Sequence, residues 1–425
     1  MSMKHRTGLI LLASLILVMI VFARAWWHGV TTARSQAQKV QIALRKGRLD
    51  EASAVIDQWL KSQPRAGQAH YLKARLAWAK NDLPLVYQEM TRARALGCPL
   101  ELLAELRGLL LARMNQTTEA EPLLLKALDN EPRIDPEIAE ALTHIYLGTF
   151  RLGRAAHLLD RWTEDWPDDA RPFFLRTEIE GRNDASSELI ITHCQEALRR
   201  DPAYHQARLR LADSLRLSHR NSEAATEYAT YLEAQPNDPL GHLGAAQNAL
   251  DMGDTTRSLH HLDRALALSP RDSVILGTRA VLEIHLGHLD AARRYLDLAI
   301  EVDPFNYNNH YQRMLVLNRQ GKREAAQSEQ LAIKRIRQDE AAFSEISRQL
   351  KEHPLDLKFR SQAAKWLMTH GHEMEAIDWA KLVLDSDPSD PEINRLLADH
   401  YRRKGNLGLA NFYDLHAAPR PGQTQ

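Results

Sequence analysis

Small and apolar residues recur along this chain every 34 residues, separated by mostly polar stretches. Two consecutive stretches show the pattern at identical offsets: Ala246, Gly253, Ser258, Leu262, Ala265 and Pro270, and then Ala280, Gly287, Ala292, Leu296, Ala299 and Pro304. The leucine lies four residues after one small residue and three before the next, so the three share one face of a helix. The pattern therefore predicts a chain of repeated helix pairs.

Glycine, proline and aspartate mark where these helices are expected to begin and end. Gly287 predicts a left-handed residue after the first helix of its pair, and Asn115 and His219 occupy the same slot in two other repeats. Pro304 predicts the end of a second helix. Helix N-caps are predicted two residues after such prolines, at Asp169, Asp238, Asp272, Asn306 and Asp390, and at Asp135 before Pro136.

This arrangement resembles the tetratricopeptide repeat (TPR), a 34-residue helix–turn–helix unit. Offset matching extends the resemblance over about residues 33 to 416, in about eleven repeats. The resemblance implies an all-α fold, a right-handed TPR-type α-solenoid in which each helix hairpin covers the apolar face of its neighbour. We expect a main solenoid at residues 33–338 and a C-terminal TPR pair at 355–416.

The period breaks near residue 338. Gln338 stands where the next proline is due, the following proline is Pro354, and residues 322–352 contain neither glycine nor proline. This predicts a lengthened second helix and then an extra helix at 339–354, with Phe343, Ile346 and Leu350 on its buried side. Residues 417–425 are polar and contain proline, which predicts a disordered tail.

An apolar segment precedes the repeats. Residues 1–7 form a basic lead, and residues 8–28, in which Arg24 is the one charged residue, predict a transmembrane helix or signal anchor about 30 Å long. The alternative is a cleaved signal peptide and a secreted protein, but the apolar run is longer than the usual signal core. A basic lead before a first apolar helix predicts that the solenoid lies outside the cytoplasm.

The composition gives little sign of catalytic chemistry. Lys plus Arg equals Asp plus Glu at 55 each, so no bulk field favours nucleic acid. The two cysteines, Cys98 and Cys194, form no zinc motif, and none of the 19 histidines has an acidic or cysteine companion at ligand spacing. Common catalytic motifs are also missing. We therefore expect a non-enzymatic protein with no cofactor, no nucleic-acid partner and no small-molecule substrate.

The resemblance implies a function in binding other proteins, because the first helices of such repeats line a concave groove that holds partner segments. Carried onto this sequence, the expected protein-binding groove consists of Leu209, Asp213, Arg216, Leu243, Gln247, Leu250, Val274, Val281, Ile284, Tyr311, Leu315 and Asn318. Its middle is aliphatic, which suits an apolar peptide. The expected function is a membrane-tethered TPR scaffold that binds partner proteins or peptides. The alternative is an envelope assembly or biogenesis factor that acts as a holdase for exported client proteins.

Overall fold

The computed structural model describes residues 33–44, 46–129, 133–183 and 186–417. These residues form α-helices joined by short turns and contain no β-strand. The helices are α1 (33–44), α2 (Leu49–Ser62), α3 (Gly67–Ala79), α4 (Leu83–Ala95), α5 (Leu100–Arg113), α6 (Thr117–Asp129), α7 (Pro136–Gly148), α8 (Leu152–Asp165), α9 (Arg171–Arg182), α10 (Ser187–Arg200), α11 (His205–Leu217), α12 (Asn221–Ala234), α13 (Pro239–Asp251), α14 (Thr255–Leu268), α15 (Ser273–His285), α16 (Leu289–Val302), α17 (Tyr307–Arg319), α18 (Arg323–Glu352), α19 (Leu357–Thr369), α20 (Glu373–Leu384), α21 (Pro391–Arg403) and α22 (Leu407–Ala417).

The chain divides into two compact units. The first comprises Met1–Leu110 and Pro122–Ala127, and the second Leu111–Glu121 and Leu128–Gln425. The core of the first unit includes Trp59, Leu72 and Leu106, all nearly inaccessible to solvent. The second unit has several smaller apolar clusters, because each pair of helices buries its own face against the next pair.

Small residues let the paired helices approach closely, as the 34-residue pattern predicts. In α13 and α14, Ala246, Ser258, Leu262 and Ala265 are completely buried. Their counterparts in α15 and α16, Ala280, Ala292, Leu296 and Ala299, are also completely buried. The predicted helix pairs and their buried faces are thus confirmed in this part of the chain.

The turns inside the pairs use left-handed backbone where the sequence predicts it. Gly287 has φ +80°, and His219 and Asn115, in the same slot, have φ 59° and 57°. A polar side chain tolerates this conformation at a modest cost, whereas glycine adopts it freely. The glycine slot therefore marks a backbone conformation rather than a fixed residue type.

Five of the six predicted N-caps are confirmed. The side chains of Asp135, Asp238, Asp272, Asn306 and Asp390 accept hydrogen bonds from backbone N–H groups in the first turn of α7, α13, α15, α17 and α21. The prediction for Asp169 was wrong, because α9 has Ala170 as its N-cap. Asp169 instead binds the Arg171 guanidinium at 2.6 Å and accepts a hydrogen bond from Trp162 Nε1. A strong charged partner thus removes this carboxylate from the cap position.

First helices of successive repeats also touch one another. Helix α11 packs on α13, α13 on α15, and α15 on α17, in addition to the contact that each makes with its own second helix. These four first helices therefore form a continuous row within the second unit. Their side chains that are not used in pairing face a common surface.

The predicted separate helix at 339–354 is not present as a separate element. Helix α18 runs without a break from Arg323 to Glu352, 30 residues, because nothing in that interval ends a helix. The buried side was predicted correctly in part, since Leu350 is 1% exposed and Phe343 and Ile346 pack against the same cluster. Helices α19 and α20 and then α21 and α22 form the expected C-terminal pair of hairpins.

The predicted lead at 1–7 and the predicted membrane helix at 8–28 lie outside the described residues. Of the helices in the described ranges, none combines the length and the apolar character needed to cross a bilayer. The predicted tail at 417–425 also lies outside the described part, apart from Ala417, which is the last residue of α22.

Candidate protein-binding groove

An open cavity of about 320 Å³ lies along the row of first helices in the second unit. Helices α11, α13, α15 and α17 and the turn before α17 contribute its lining. Five predicted groove residues line it: Arg216, Gln247, Leu250, Val274 and Val281. The structure therefore brings these five side chains, from three helices, to one surface.

The apolar part of this surface is partly open to solvent. Val274 begins α15 and is 47% exposed, although it is an aliphatic residue at the edge of a cavity. Val281 lies two turns later on the same helix and is half-buried, and Leu250 of α13 is half-buried against the core below. An exposed aliphatic strip of this kind gains free energy when a partner covers it, at about 25 cal/mol per Å² of apolar area.

Carboxamide side chains border the strip. Asn308 and Gln312 of α17 line the cavity, and in the described part of the chain their side chains make no hydrogen bond. Gln247 of α13 donates through Nε2 to Thr278 Oγ1, at a long 3.4 Å. A carboxamide both donates and accepts, as a peptide bond does. The border can therefore bind the backbone of a peptide that covers the apolar strip.

An ion pair closes one end of the cavity. Arg216 of α11 donates through NH1 to Asp251 Oδ2 of α13 at 3.1 Å, and both residues line the cavity. One helical turn earlier, Asp213 accepts a 2.6 Å hydrogen bond from the Tyr228 hydroxyl. Burial raises the pKa of Asp213, although the bond from Tyr228 and the charge of Arg216 act in the opposite direction. Burial also raises the pKa of Tyr228, and the Asp213 carboxylate adds to that rise.

The remaining predicted groove residues do not line this cavity. Leu243 is 8% exposed and belongs to the core shared by α13, α14 and α15. Leu209 and Ile284 are half-buried and pack against neighbouring apolar clusters. Asp213, Tyr311, Leu315 and Asn318 also lie away from the lining, and the Tyr311 ring stacks on Tyr307 with ring centres 6.0 Å apart.

Several lining residues were missed by the sequence analysis: Asp251, Gly277, Thr278, His285, Asn306, Asn308, Asn309 and Gln312. The 34-residue offset held a signal for two of them. Asn308 lies 34 residues after Val274, and Gln312 lies 34 residues after Thr278. Asp251 had no such signal, because only its ion pair with Arg216 brings it to the cavity edge.

Metal-binding and thiol chemistry find no support in the described ranges. They contain no group of three or more His, Cys, Asp or Glu residues placed to hold a metal ion. Cys98 and Cys194 are buried and free. Burial raises the pKa of the Cys98 thiol to about 11 and that of Cys194 to about 12, so both stay protonated at neutral pH and react poorly as nucleophiles.

The sequence was compared with protein families and curated proteins. Models described as "Tetratricopeptide repeat" match residues 249–315 with one model and residues 38–85 and 192–239 with another. The first match covers much of α13 to α17, including Gln247's neighbours and most of the cavity lining. No curated protein matches this sequence.

The fold is similar to solved structures at low sequence identity. The Cut9 and Hcn1 hetero-tetramer of the APC/C contains a chain that is 12% identical, with 84% of this chain and 74% of that chain covered and a TM-score of 0.43. The human IFIT1 dimer with m7Gppp-AAAA is 15% identical, with 83% and 89% covered and a TM-score of 0.41. YrrB, described as a TPR protein with an unusual peptide-binding site, is 18% identical, with 43% and 93% covered and a TM-score of 0.34. Together with its helix pairs, the family matches identify this chain as one that carries tetratricopeptide repeats.

Proposed function

We propose that this protein is a non-enzymatic scaffold that binds an extended segment of a partner protein in the cavity formed by α11, α13, α15 and α17. The observation that carries the proposal is the cavity itself, in which the exposed aliphatic strip at Val274 lies beside the unpaired carboxamides of Asn308 and Gln312. An extended peptide offers apolar side chains to the strip and backbone groups to the carboxamides.

Rigidity supports this function. The four first helices pack on one another and on their second helices, so the groove is formed before a partner arrives. A preformed surface avoids the entropic cost of ordering itself on binding. We further propose, from the apolar run at 8–28, that a membrane tether holds the groove near a bilayer and raises the local concentration of its partners.

The test uses a photocrosslinking amino acid in place of Val274, with Leu298 of α16 as the matched control. The two side chains are 47% and 49% exposed, but Leu298 does not line the cavity. A scaffold predicts one dominant partner crosslinked from position 274 and not from position 298. Equal crosslinking from both positions contradicts the groove, and many unrelated apolar partners from position 274 indicate the holdase instead.

A charge substitution gives a second readout. Val274→Glu is expected to weaken partner binding by about tenfold or more, because it places a carboxylate in the apolar strip, whereas Leu298→Glu leaves binding unchanged. Leu243→Glu cannot serve here, since Leu243 lies in the core and a buried charge there would unfold the repeat.

The tether is tested separately from the groove. Removal of residues 1–28 is expected to release the protein from membranes and to leave peptide binding unchanged. Mass analysis of the mature chain distinguishes an uncleaved anchor from a signal peptide cut after Ala25. Release of the intact chain by alkaline carbonate contradicts the anchor.

A further inference from the structure

A second, smaller cleft lies where the regular repeat pattern breaks. It has a volume of about 110 Å³ and is lined by Asp303, Phe305, Ile336, Asp339, Glu340, Trp366, His370 and His372. These residues come from the turn before α17, from the middle of the long helix α18, and from α19 and the turn that follows it. Because α18 continues past the point where a regular second helix ends, its residues 336–340 face the end of α19.

Aromatic rings form the wall of this cleft. The Trp366 ring stacks on His370, with centres 3.8 Å apart and planes at 14°, and Phe305 lies 4.4 Å from His370. On its other side Trp366 stacks on Phe343 at 4.1 Å. The Trp366 Nε1–H donates to the backbone oxygen of Asp339 at 3.1 Å. The rings are therefore held in place before any ligand arrives.

The charge in the cleft is of one sign. Asp303, Asp339 and Glu340 bring three carboxylates to the lining, and no lysine or arginine is among the lining residues. Carboxylates above an apolar ring wall attract a cation and at the same time favour an apolar stem behind it.

The His370 ring gives the cleft a hydrogen-bond acceptor. Its Nδ1 lies 2.7 Å from the carbonyl oxygen of Trp366, which can only accept, so Nδ1 carries a proton. Nε2 of the same ring has no hydrogen-bond partner in the described part of the chain, although the side chain is only 8% exposed. In the neutral ring, Nε2 is therefore a buried acceptor without a donor.

Nε2 also faces a second acceptor. The nearest charged atom is Asp339 Oδ2, at 3.9 Å, and the Asp339 side chain is half exposed at the rim of the cleft, so it can turn to admit a ligand. Two acceptors at this separation suit one nitrogen that donates to both, at about 2.8 Å from each. A primary ammonium group has the charge and the several N–H bonds that this position requires.

We propose that this cleft binds a primary ammonium group on an apolar stem, as in a lysine side chain. The stem lies against the rings of Phe305 and Trp366, and the ammonium donates to His370 Nε2 and the Asp339 carboxylate. The site is distinct from the groove of α11 to α17, and it stands whether or not that groove binds a peptide.

The experiment titrates the full chain with Nα-acetyl-lysine methylamide, which represents a lysine in a protein, and with 1,5-diaminopentane, which represents a free amine. Calorimetry measures affinity, and the imidazole ¹⁵N resonance of His370, identified by its loss in His370→Phe, reports on Nε2. Saturable binding of either probe with a shift of the Nε2 resonance is expected, and the tighter probe identifies the source. Absence of binding by both probes overturns the proposal.

Two comparisons separate a specific site from general attraction. Trimethylation of the lysine nitrogen removes every N–H, and it is expected to weaken binding about tenfold; equal affinity overturns the proposal. Asp339→Asn is expected to weaken binding about tenfold, whereas Glu352→Gln, the same loss of charge about 20 Å further along α18, leaves it unchanged. Equal weakening by the two variants means that only the long-range field acts, which also overturns the proposal.

His370→Phe keeps a ring in the stack but removes the acceptor. It is expected to abolish the preference for the primary over the trimethylated amine. If this variant fails to fold, as judged by circular dichroism, the Asp339→Asn and Glu352→Gln pair still decides the outcome.

Discussion

His310 and Glu329 connect the two helices of one repeat through a 2.6 Å contact between Nδ1 and Oε2. The other ring nitrogen, Nε2, lies 3.0 Å from the carbonyl oxygen of Pro304, at the turn that precedes α17. Both nitrogens face acceptors, so the geometry favours the protonated, cationic ring. The imidazole therefore ties the end of one repeat to the second helix of the next.

The same tie recurs at the same offsets. His70 contacts Glu89 at 2.6 Å and the Pro64 carbonyl at 3.2 Å. In another repeat Arg208 donates to Glu227 and to the carbonyl of Pro202. In each case the cation lies six residues after the proline and 19 before the acid. Several of the histidines thus have a structural role between repeats.

The tie predicts a pH-dependent contribution to stability. The hydrogen bond to Glu329 raises the pKa of His310 above its usual value, while burial and the charge of Arg313 oppose the rise and the Pro304 carbonyl supports it. A raised pKa means that the stabilisation is complete below the unfolded value of about 6.5 and is lost as pH rises through the folded value. Glu329→Gln is expected to cost about 1–3 kcal/mol at pH 6 and less at pH 9.

Urea unfolding at the two pH values measures this cost. Glu324→Gln, an exposed position in the first turn of the same helix, is the control and is expected to change stability little at either pH. A cost for Glu329→Gln that grows toward pH 9 contradicts the assignment of a cationic His310.

One repeat has a histidine where the others have an acid. His242 lies 3.1 Å from the Pro236 carbonyl through Nε2, but 3.1 Å from His261 Nδ1 through its own Nδ1. Burial lowers the pKa of His261 to about 4, and His242, His260 and Arg257 add to this effect. A lowered pKa means that the unfolded chain takes up the proton first, so stability falls as pH drops from about 6.5 toward 4.

His261→Glu is therefore expected to stabilise this repeat, by roughly 1 kcal/mol near pH 5.5, because it supplies His242 with the carboxylate found in the other ties. His260→Glu is the matched control, since it makes the same charge change at an exposed neighbouring position. Thermal unfolding of the two variants at pH 5.5 and 8 makes the comparison. Equal effects of the two variants would rule out a specific tie.

Gly244 is expected to tolerate no larger side chain. A Cβ at this position would lie 2.4 Å from Tyr228 Cε1, and Tyr228 is 1% exposed and bound to Asp213. Gly244→Ala is expected to destabilise the protein by about 1–3 kcal/mol through overpacking. Gly148→Ala, at the end of α7 where a Cβ would meet nothing within 4 Å, is expected to be neutral or stabilising. Urea unfolding separates the two outcomes.

The unbroken helix α18 gives a further prediction at Gln338, where the repeat period calls for a proline. Gln338→Pro is expected to break α18 and cost about 3 kcal/mol, because proline removes a hydrogen bond and clashes with the preceding turn. Gln338→Ala is expected to cost nothing, since the side chain is exposed. Hydrogen exchange of the α18 amides measures the effect; unchanged protection in Gln338→Pro would mean that α18 is already broken there.

The sequence by itself determined the helix pairs and the residues that close them. Small residues at Ala280 and Ala292, left-handed turns at Gly287 and His219, and the Asp238 cap follow from local chemistry repeated at a constant offset. Such features act within one or two turns of the chain, so the pattern alone predicts them.

Only the tertiary structure decided which groove residues are exposed and which side chains meet across repeats. Leu243 and Val274 are both aliphatic first-helix positions, but packing against α14 and α15 buries one and leaves the other at the cavity edge. The cleft at His370 likewise depends on the unbroken course of α18 past Asp339. The physical reason is that exposure and side-chain pairing are set by contacts between residues distant in sequence, whereas helix formation and termination are set by neighbours.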